Sequence, residues 1–138
     1  IGVQEDPSQD SKAVKVLVCG SRNWLNQKAI EQELSKLPAG TIVVHGACRG
    51  ADNIAGYVAM SLEFEVRPYP ADWVKYGKGA GPVRNQQMLD EEHPDSKGLY
   101  IDLVLAFHED PGLGTGTKDM VKRAEKAHPS IHVRTFTG

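Results

Sequence analysis

Short apolar runs recur along the chain and predict five β-strands. They lie at residues 14–20, 41–45, 64–69, 101–107 and 131–136. The run at 101–107 is almost continuously apolar, which is the pattern of a strand that helices cover on both faces of its sheet. The strands are therefore expected to form a buried parallel sheet.

Between these runs, apolar residues recur every three or four positions and predict four α-helices. Asn26 is a candidate N-cap for the first helix, and the third is expected to run from about Val83 to Glu92. The second helix has the clearest stripe, formed by Ala51, Ile54, Ala55, Val58, Ala59 and Leu62. The fourth follows a glycine-rich turn at 111–116 and presents Met120, Val121, Ala124 and Ala127 on one face. The alternation predicts the α/β class, with a Rossmann-like, three-layer, doubly wound parallel sheet of about five strands.

The length of 138 residues fits one domain, which we expect to span residues 13–138. Residues 1–12 are acidic and polar and are predicted to form a flexible tail.

The net charge of the chain limits the classes of partner that it is expected to bind. Its 16 Lys and Arg against 18 Asp and Glu give a net charge of -2, so no basic field exists to attract duplex nucleic acid or an acidic membrane. Two cysteines are too few for a disulfide framework, which favours a cytoplasmic location. No apolar run approaches the length of a membrane span.

Glycine-rich loops follow the first, second and fourth predicted strands, at residues 20–24, 46–52 and 111–117. In an open α/β sheet such loops meet at one edge, where ligands bind. Glycine lets a ligand approach the backbone, and the helix after each loop offers unpaired N–H groups to an anion. Arg22 and Arg49 can form paired hydrogen bonds with phosphate oxygens. Together the three loops favour a nucleotide phosphate site.

The alternative is that these loops are only tight turns, because a single glycine-rich turn is as typical of turn geometry as of ligand contact. The chain has no G-x-x-x-x-G-K-[ST] segment, which argues against P-loop chemistry, and no G-x-G-x-x-G after a strand. The spacing of Gly112, Gly114 and Gly116 is by itself a weak signal.

Residues 79–88 place several polar side chains at a predicted helix start. Arg84 and Asn85 are candidates to position a ribose or a base, and the alternative is a solvated helix terminus. Asp72 and Trp73 are candidates for a wall on which a flat ring stacks, with core packing as the alternative for Trp73.

Cys19, His45, Cys48 and His108 lie at predicted strand ends and are residue types that bind zinc. Their spacing matches no compact zinc motif, so we predict no metal site, with buried cysteines and hydrogen-bonded histidines instead. No base-and-orienter arrangement supports a cysteine nucleophile beside His45.

Five segments, taken in order, resemble the SLOG superfamily of Rossmann-like nucleotide-binding proteins, and its small YspA-like branch above all. They are Gly20-Ser21-Arg22, His45-Gly46-Ala47 with Gly50-Ala51-Asp52, Ala71-Asp72-Trp73, Gly81-Pro82 with Arg84-Asn85 and Met88, and Gly116-Thr117. The likeness extends from about residue 15 to 127 and implies a nucleotide-binding domain. It also implies a homodimer, since members of this superfamily often pair through helices.

The chain is also similar to the Lonely Guy type phosphoribohydrolases, which release the free base from nucleoside 5′-monophosphates. Arg84 and Met88 match one of their motifs, with Asn85 in place of the usual Lys. Their P-G-G-x-G-T-x-x-E loop is one residue longer here, and its glutamate corresponds to Met120. A carboxylate normally stabilises the oxocarbenium-like charge of such a cleavage. The resemblance therefore supports a nucleotide site better than it supports hydrolysis, and the related molybdenum-cofactor carriers bind without catalysis.

Three functional hypotheses follow. The first is binding or sensing of a nucleotide-derived phosphate ligand, such as ADP-ribose or an NAD-like molecule, with no resident cofactor assigned. The second is N-glycoside hydrolysis, with Arg84 orienting the sugar phosphate and Asp119 or Glu109 as acid or base. Asp119 lies about 100° from position 120 around a helix, so it is expected to replace the missing glutamate only if the turn rotates. The third is a non-catalytic interaction domain.

The first hypothesis assigns ligand contacts to the loops and to the third helix. The candidate ligand-binding residues are Gly20, Ser21, Arg22, Gly46, Arg49, Gly50, Asp52, Asp72, Trp73, Arg84, Asn85, Gly114, Thr115, Gly116 and Thr117.

Overall fold

A computed structural model describes residues 14–138, and the tail predicted at residues 1–12 lies outside them. Within the described residues, five strands form one parallel sheet in the order β3-β2-β1-β4-β5. The strands are β1 (Lys15–Gly20), β2 (Ile42–His45), β3 (Glu65–Pro68), β4 (Leu103–Phe107) and β5 (His132–Phe136). The order reverses direction between β1 and β4, so the predicted doubly wound sheet is confirmed.

Helices cover both faces of the sheet and complete three layers. The four longer ones are α1 (Gln27–Leu34), α2 (Ala51–Ser61), α4 (Ala80–Glu92) and α5 (Gly114–Lys126); the one-turn α3 (Trp73–Tyr76) and a 3-10 turn at Gly77–Gly79 precede α4. Asn26 caps α1 as predicted, since its Oδ1 accepts a hydrogen bond from the Ala29 N–H at 3.1 Å.

The alternation of side chains along β1 divides the core into two clusters. Val16 and Val18 pack with the buried faces of α1 and α2. Leu17 and Cys19 pack with α4 and α5. Both faces of this central strand are therefore apolar, as the predicted parallel sheet requires.

Two predicted boundaries were wrong. The glycine-rich stretch before Val83 is helical, because α4 begins at Ala80, whose side chain is fully buried. Pro82 does not prevent this, since it lies in the first turn, where its missing N–H has no helical partner to lose. Similarly, α5 begins at Gly114, inside the segment predicted as a turn.

A buried ion cluster lies at the end of β1 away from its glycine, and consists of Lys15, Arg67, Tyr69, Glu92 and Asp95. The ammonium group of Lys15, whose side chain is 1% exposed, contacts Glu92 Oε1 at 2.9 Å and Asp95 Oδ2 at 2.8 Å. Arg67 Nη1 contacts the same two oxygens, at 2.7 and 3.1 Å. The Tyr69 hydroxyl donates to Glu92 Oε2 at 2.5 Å. Every charge in this cluster has an opposite partner.

Candidate functional site

A cavity of about 500 Å³ opens at the carboxyl ends of β1 and β4, where the strand order reverses. This is the position at which open α/β sheets bind ligands. Its wall brings together twelve residues predicted from the sequence: Gly20, Ser21, Arg22, Asp52, Trp73, Arg84, Asn85, Gly114, Thr115, Gly116, Thr117 and Asp119. A wider groove of about 700 Å³ between α4 and α5 shares Asp119 with the cavity but contains none of the glycine-rich loops.

Gly46 and Gly50 do not line the cavity themselves but lie against residues that do. A Cβ at Gly46 would collide with the Arg84 guanidinium, and one at Gly50 would collide with the carbonyls of Ser21 and Arg22. Gly50 also has a φ of +83°, which other residues rarely adopt. These glycines let the loop after β2 pack against its neighbours, which is a role in geometry rather than ligand contact.

Three other predicted residues lie outside the wall. Arg49 is exposed and donates to the Arg22 carbonyl at 3.3 Å. Asp72 caps α3, accepting a hydrogen bond from the Lys75 N–H at 3.0 Å. Glu109 is exposed and accepts from the Ser21 hydroxyl at 3.0 Å.

The start of α5 forms one end of the cavity. Its N-cap is Leu113, which provides no side-chain hydrogen bond, and its first turn has no acidic residue. The first N–H groups of a helix have no partner within it, so those of Gly114, Thr115 and Gly116 are available to an anion. The Thr117 side chain is buried, and its hydroxyl has no hydrogen-bond partner among residues 14–138. This end of the cavity is a cradle for an anion.

Arg84 lies on the cavity floor because α4 begins early enough to bury it. Its guanidinium donates through Nη1 to the carbonyls of Gly46 and Tyr69, and through Nε to Asn85 Oδ1 at 2.9 Å. The other nitrogen, Nη2, has only the Cys48 sulfur at 3.8 Å within residues 14–138. The alternative of a solvated helix terminus is therefore wrong, since Arg84 and Asn85 are both buried.

Asp52 lies beside Arg84 in the first turn of α2 and is 5% exposed. Its Oδ2 accepts hydrogen bonds from the N–H groups of Gly46, at 3.0 Å, and Cys48, at 3.5 Å. In residues 14–138 its Oδ1 has no hydrogen-bond partner. Burial raises the pKa of this carboxyl to about 6, although the charge of Arg84 and the two N–H groups act in the opposite direction.

A second carboxylate lies in the cavity wall on α5. Asp119 Oδ2 accepts hydrogen bonds from Asn85 Nδ2 at 2.9 Å and from Arg123 Nε at 2.8 Å. Burial alone would raise the pKa of Asp119, but these hydrogen bonds hold it below its usual value. Asp119 lines the cavity, and so does Met120, which also packs in the core.

The mouth of the cavity is aromatic and basic. Trp73 is 47% exposed and lines the cavity, so it is not a core residue. The Arg22 guanidinium lies 5.4 Å from the centre of its ring, within cation–π distance. Lys78 adds a second positive charge to the wall. A flat ring can stack on Trp73 here.

The four residues considered for zinc lie in different environments. Cys19 and His45 are buried, and burial raises the pKa of the Cys19 thiol and lowers that of His45 to about 4. His45 Nδ1 accepts a hydrogen bond from the Ala47 N–H at 2.9 Å. Cys48 and His108 line the cavity. Within residues 14–138, no three His, Cys, Asp or Glu side chains are grouped as a metal site requires.

Sequence reasoning missed Lys78, the Tyr69 carbonyl and Arg123. Arg123 follows Asp119 by four residues, a spacing at which helical side chains pair, so it could have been found. Lys78 and Tyr69 gave no such signal, because their positions depend on how the segment after β3 folds over the sheet edge.

Comparisons with known proteins identify relatives of this chain. The model of a family described as YspA, cpYpsA-related SLOG matches residues 14–76. The Gene 61 protein of Mycobacterium phage D29 is 37% identical over 122 residues, which cover 82% of this chain and 90% of that protein. No solved structure matches the chain. None of the helices in residues 14–138 has the length and apolar character needed to cross a membrane.

Proposed function

Because the chain belongs to the YspA, cpYpsA-related SLOG family, whose membership suggests a nucleotide-related function, we propose that it binds or senses a nucleotide-derived phosphate ligand. ADP-ribose and NAD-like molecules are the leading candidates. The observation that carries the proposal is the start of α5, which has no side-chain cap and opens into the cavity beside the buried hydroxyl of Thr117, itself without a partner in residues 14–138. Such a helix end favours negative charge.

The cavity gives each part of such a ligand a partner. The phosphate lies at the cradle of Gly114–Thr117, where Arg22 and Lys78 supply positive charge from the mouth. The base stacks on Trp73, and the sugar lies between them, over Arg84 and Asn85. A cavity of about 500 Å³ is within the range that holds a small-molecule ligand.

Thermal melting against AMP, ADP, ADP-ribose, NAD and cyclic dinucleotides tests the proposal. A ligand at about a hundred times its dissociation constant adds about 2.7 kcal/mol of stability, which raises the melting temperature by several degrees. Arg22→Ala replaces an exposed residue of the cavity wall, and the control Lys36→Ala removes a surface charge whose ion pair within residues 14–138 is with Glu33. We expect the shift to be reduced in the first variant and unchanged in the second.

Two results would contradict the proposal. A panel without any shift would favour the interaction-domain hypothesis, in which the loops are only tight turns. A shift that is equal in Arg22→Ala, Arg84→Ala and the wild type would place the ligand elsewhere.

A second candidate is N-glycoside hydrolysis of a nucleoside monophosphate or an NAD derivative. It is favoured by Asp119, which lies in the wall with one carboxylate oxygen, Oδ1, outside any hydrogen bond in residues 14–138. Its lowered pKa suits a carboxylate that stabilises positive charge on the sugar or activates water, rather than an acid. Arg84 would orient the sugar phosphate.

Chromatography of AMP and NAD after incubation with the protein tests this activity. Hydrolysis predicts release of free base that falls at least about a hundredfold in Asp119→Asn, as expected for loss of a general base. No release above buffer with any nucleotide would remove this candidate and leave binding in place.

We further infer a homodimer, from the family, and a cytoplasmic location, from the two cysteines, which are too few for a disulfide framework. Light scattering is expected to give a mass near twice the 15.1 kDa of the chain. A mass near that of one chain would contradict the dimer.

A further inference from the structure

The cavity floor holds two buried polar atoms without a nitrogen or oxygen partner in residues 14–138, although one of them contacts the Cys48 sulfur at 3.8 Å. One is an acceptor, Asp52 Oδ1, and the other is a donor, Arg84 Nη2. Both residues are more than nine-tenths buried, at 5% and 8% exposure, and both line the cavity. Buried polar groups normally have good hydrogen-bond partners, so two such poorly partnered atoms on residues that line a cavity indicate a ligand.

The remaining atoms of both side chains are held by the protein. Asp52 Oδ2 is fixed by the N–H groups of Gly46 and Cys48. Arg84 Nη1 and Nε are fixed by two backbone carbonyls and by Asn85. The free atoms therefore have set positions before any ligand enters, and no ordering of flexible side chains is needed on binding.

The chemistry of this pair excludes a phosphate at the floor, because a phosphate would face the Asp52 carboxylate. A group is required that donates one hydrogen bond and accepts another at adjacent atoms. The two neighbouring hydroxyls of a ribose do this, since one can donate to the carboxylate while the other accepts from the guanidinium. The groups facing Asp52 are Arg84 from α4, Arg22 and Cys19 from β1 and its loop, and Cys48 from its own loop.

We propose that Asp52 and Arg84 recognise the 2′,3′-diol of a ribose, so that the site selects ribonucleotides whose diol is free. This inference rests on the proposed function, and it adds the sugar to the ligand class. It also fixes the direction of the ligand, with the diol on the floor and the phosphate at the start of α5.

The test compares ADP with 2′,3′-dideoxy-ADP by titration calorimetry at pH 8, where Asp52 is ionised. The wild type is expected to bind ADP at least about 10-fold more tightly, as for loss of a hydrogen bond to a charged group. Asp52→Asn keeps a carbonyl for the Gly46 and Cys48 N–H groups and replaces the acceptor Oδ1 with an amide donor. This variant is expected to lose most of the preference, since only the hydrogen bond to Arg84 remains, whereas Asp90→Asn, at an exposed position on α4, keeps the wild-type preference.

Each outcome decides between the two proposals. Equal affinity of the wild type for ADP and 2′,3′-dideoxy-ADP overturns diol recognition and leaves phosphate binding in place. A preference for ADP that is undiminished in Asp52→Asn assigns the diol to another residue and overturns the inference. No binding of ADP to the wild type overturns it as well, while the wider nucleotide panel then decides the proposed function separately. The comparison of the two nucleotides on the wild type needs no variant, so it can still overturn diol recognition if Asp52→Asn does not fold.

Discussion

The cavity floor and the buried ion cluster both contain buried charged side chains, but these side chains pair directly with opposite charges in the cluster and do not pair with each other on the floor. In the cluster, Lys15 contacts Glu92 and Asp95 directly, and every charge has an opposite partner. On the floor, within residues 14–138, Asp52 and Arg84 form no direct ion pair, Asp52 Oδ1 has no partner, and Arg84 Nη2 has only the Cys48 sulfur at 3.8 Å. The paired region serves the fold, whereas the unpaired one is available to a ligand.

The pKa values of Glu92 in the cluster and Asp52 on the floor are shifted in opposite directions. Burial alone would raise the pKa of Glu92, but hydrogen bonds from Tyr69, Lys15 and Arg67 hold it below its usual value. For Asp52, burial prevails and the pKa rises to about 6. Folding thus favours the charged form of Glu92 and the neutral form of Asp52, so ionising Asp52 costs the folded chain stability.

Removing the central cation of the cluster gives the largest expected effect. Lys15→Met leaves Glu92 and Asp95 buried with one cation fewer, and breaking a buried ion pair costs about 3–5 kcal/mol. Urea unfolding at pH 7.5 measures this loss. Lys36→Met, at a surface pair whose lysine is 64% exposed, is the control and should change stability by less than about 0.5 kcal/mol. A loss below about 1 kcal/mol for Lys15→Met would show that the cluster does not support the fold.

Removing the charge of Asp52 on the cavity floor is expected to raise the stability of the fold rather than lower it. Between about pH 4 and pH 6 the folded chain keeps a proton on Asp52 that the unfolded chain loses, so stability falls as pH rises through this window and stays lower above it. Asp52→Asn removes that loss and should gain about 1–3 kcal/mol at pH 7.5.

Unfolding of Asp52→Asn at pH 4 and pH 7.5 checks the sign. The gain should be larger at the higher pH, and Asp90→Asn should show little gain at either. An Asp52→Asn variant less stable than the wild type at pH 7.5 would contradict this difference between the two regions, because the charge of Asp52 would then stabilise the fold as the cluster does.

Two buried threonines show the same difference between a paired and an unpaired polar group, with smaller expected effects on stability. The Thr41 hydroxyl donates to the Pro38 carbonyl at 2.7 Å, whereas that of Thr117 has no partner in residues 14–138. Thr41→Val should cost about 1 kcal/mol, since it removes the hydroxyl hydrogen bond and leaves the Pro38 carbonyl with only the longer one from the Thr41 N–H at 3.3 Å, and Thr117→Val should cost less than about 0.5 kcal/mol. The same unfolding assay compares them, and equal losses would contradict a functional role for the Thr117 hydroxyl.

The sequence predicted the fold and the sheet edge of the candidate site, because both depend on local patterns. Apolar runs and the Asn26 cap gave the elements, and the loops at 20–24 and 111–117 follow strands whose ends meet. The depth of individual side chains could not be predicted. Arg84 is buried because α4 begins at Ala80, and Asp119 reaches the cavity because α5 begins at Gly114, and tertiary packing sets both starts.

Helix α4 joins the two contrasted regions, since Arg84 lies in its first half and Glu92 is its last residue. The two are eight residues apart (92 − 84), or about 12 Å along the axis. One end of this helix is anchored by the cluster, so its amide hydrogens should exchange with solvent only when the whole chain unfolds. Within residues 14–138 the start of α5 has no ion cluster of this kind, so its amides should exchange through local opening. A ligand bound there would therefore slow exchange mainly in α5, while the amides of α4 would change little.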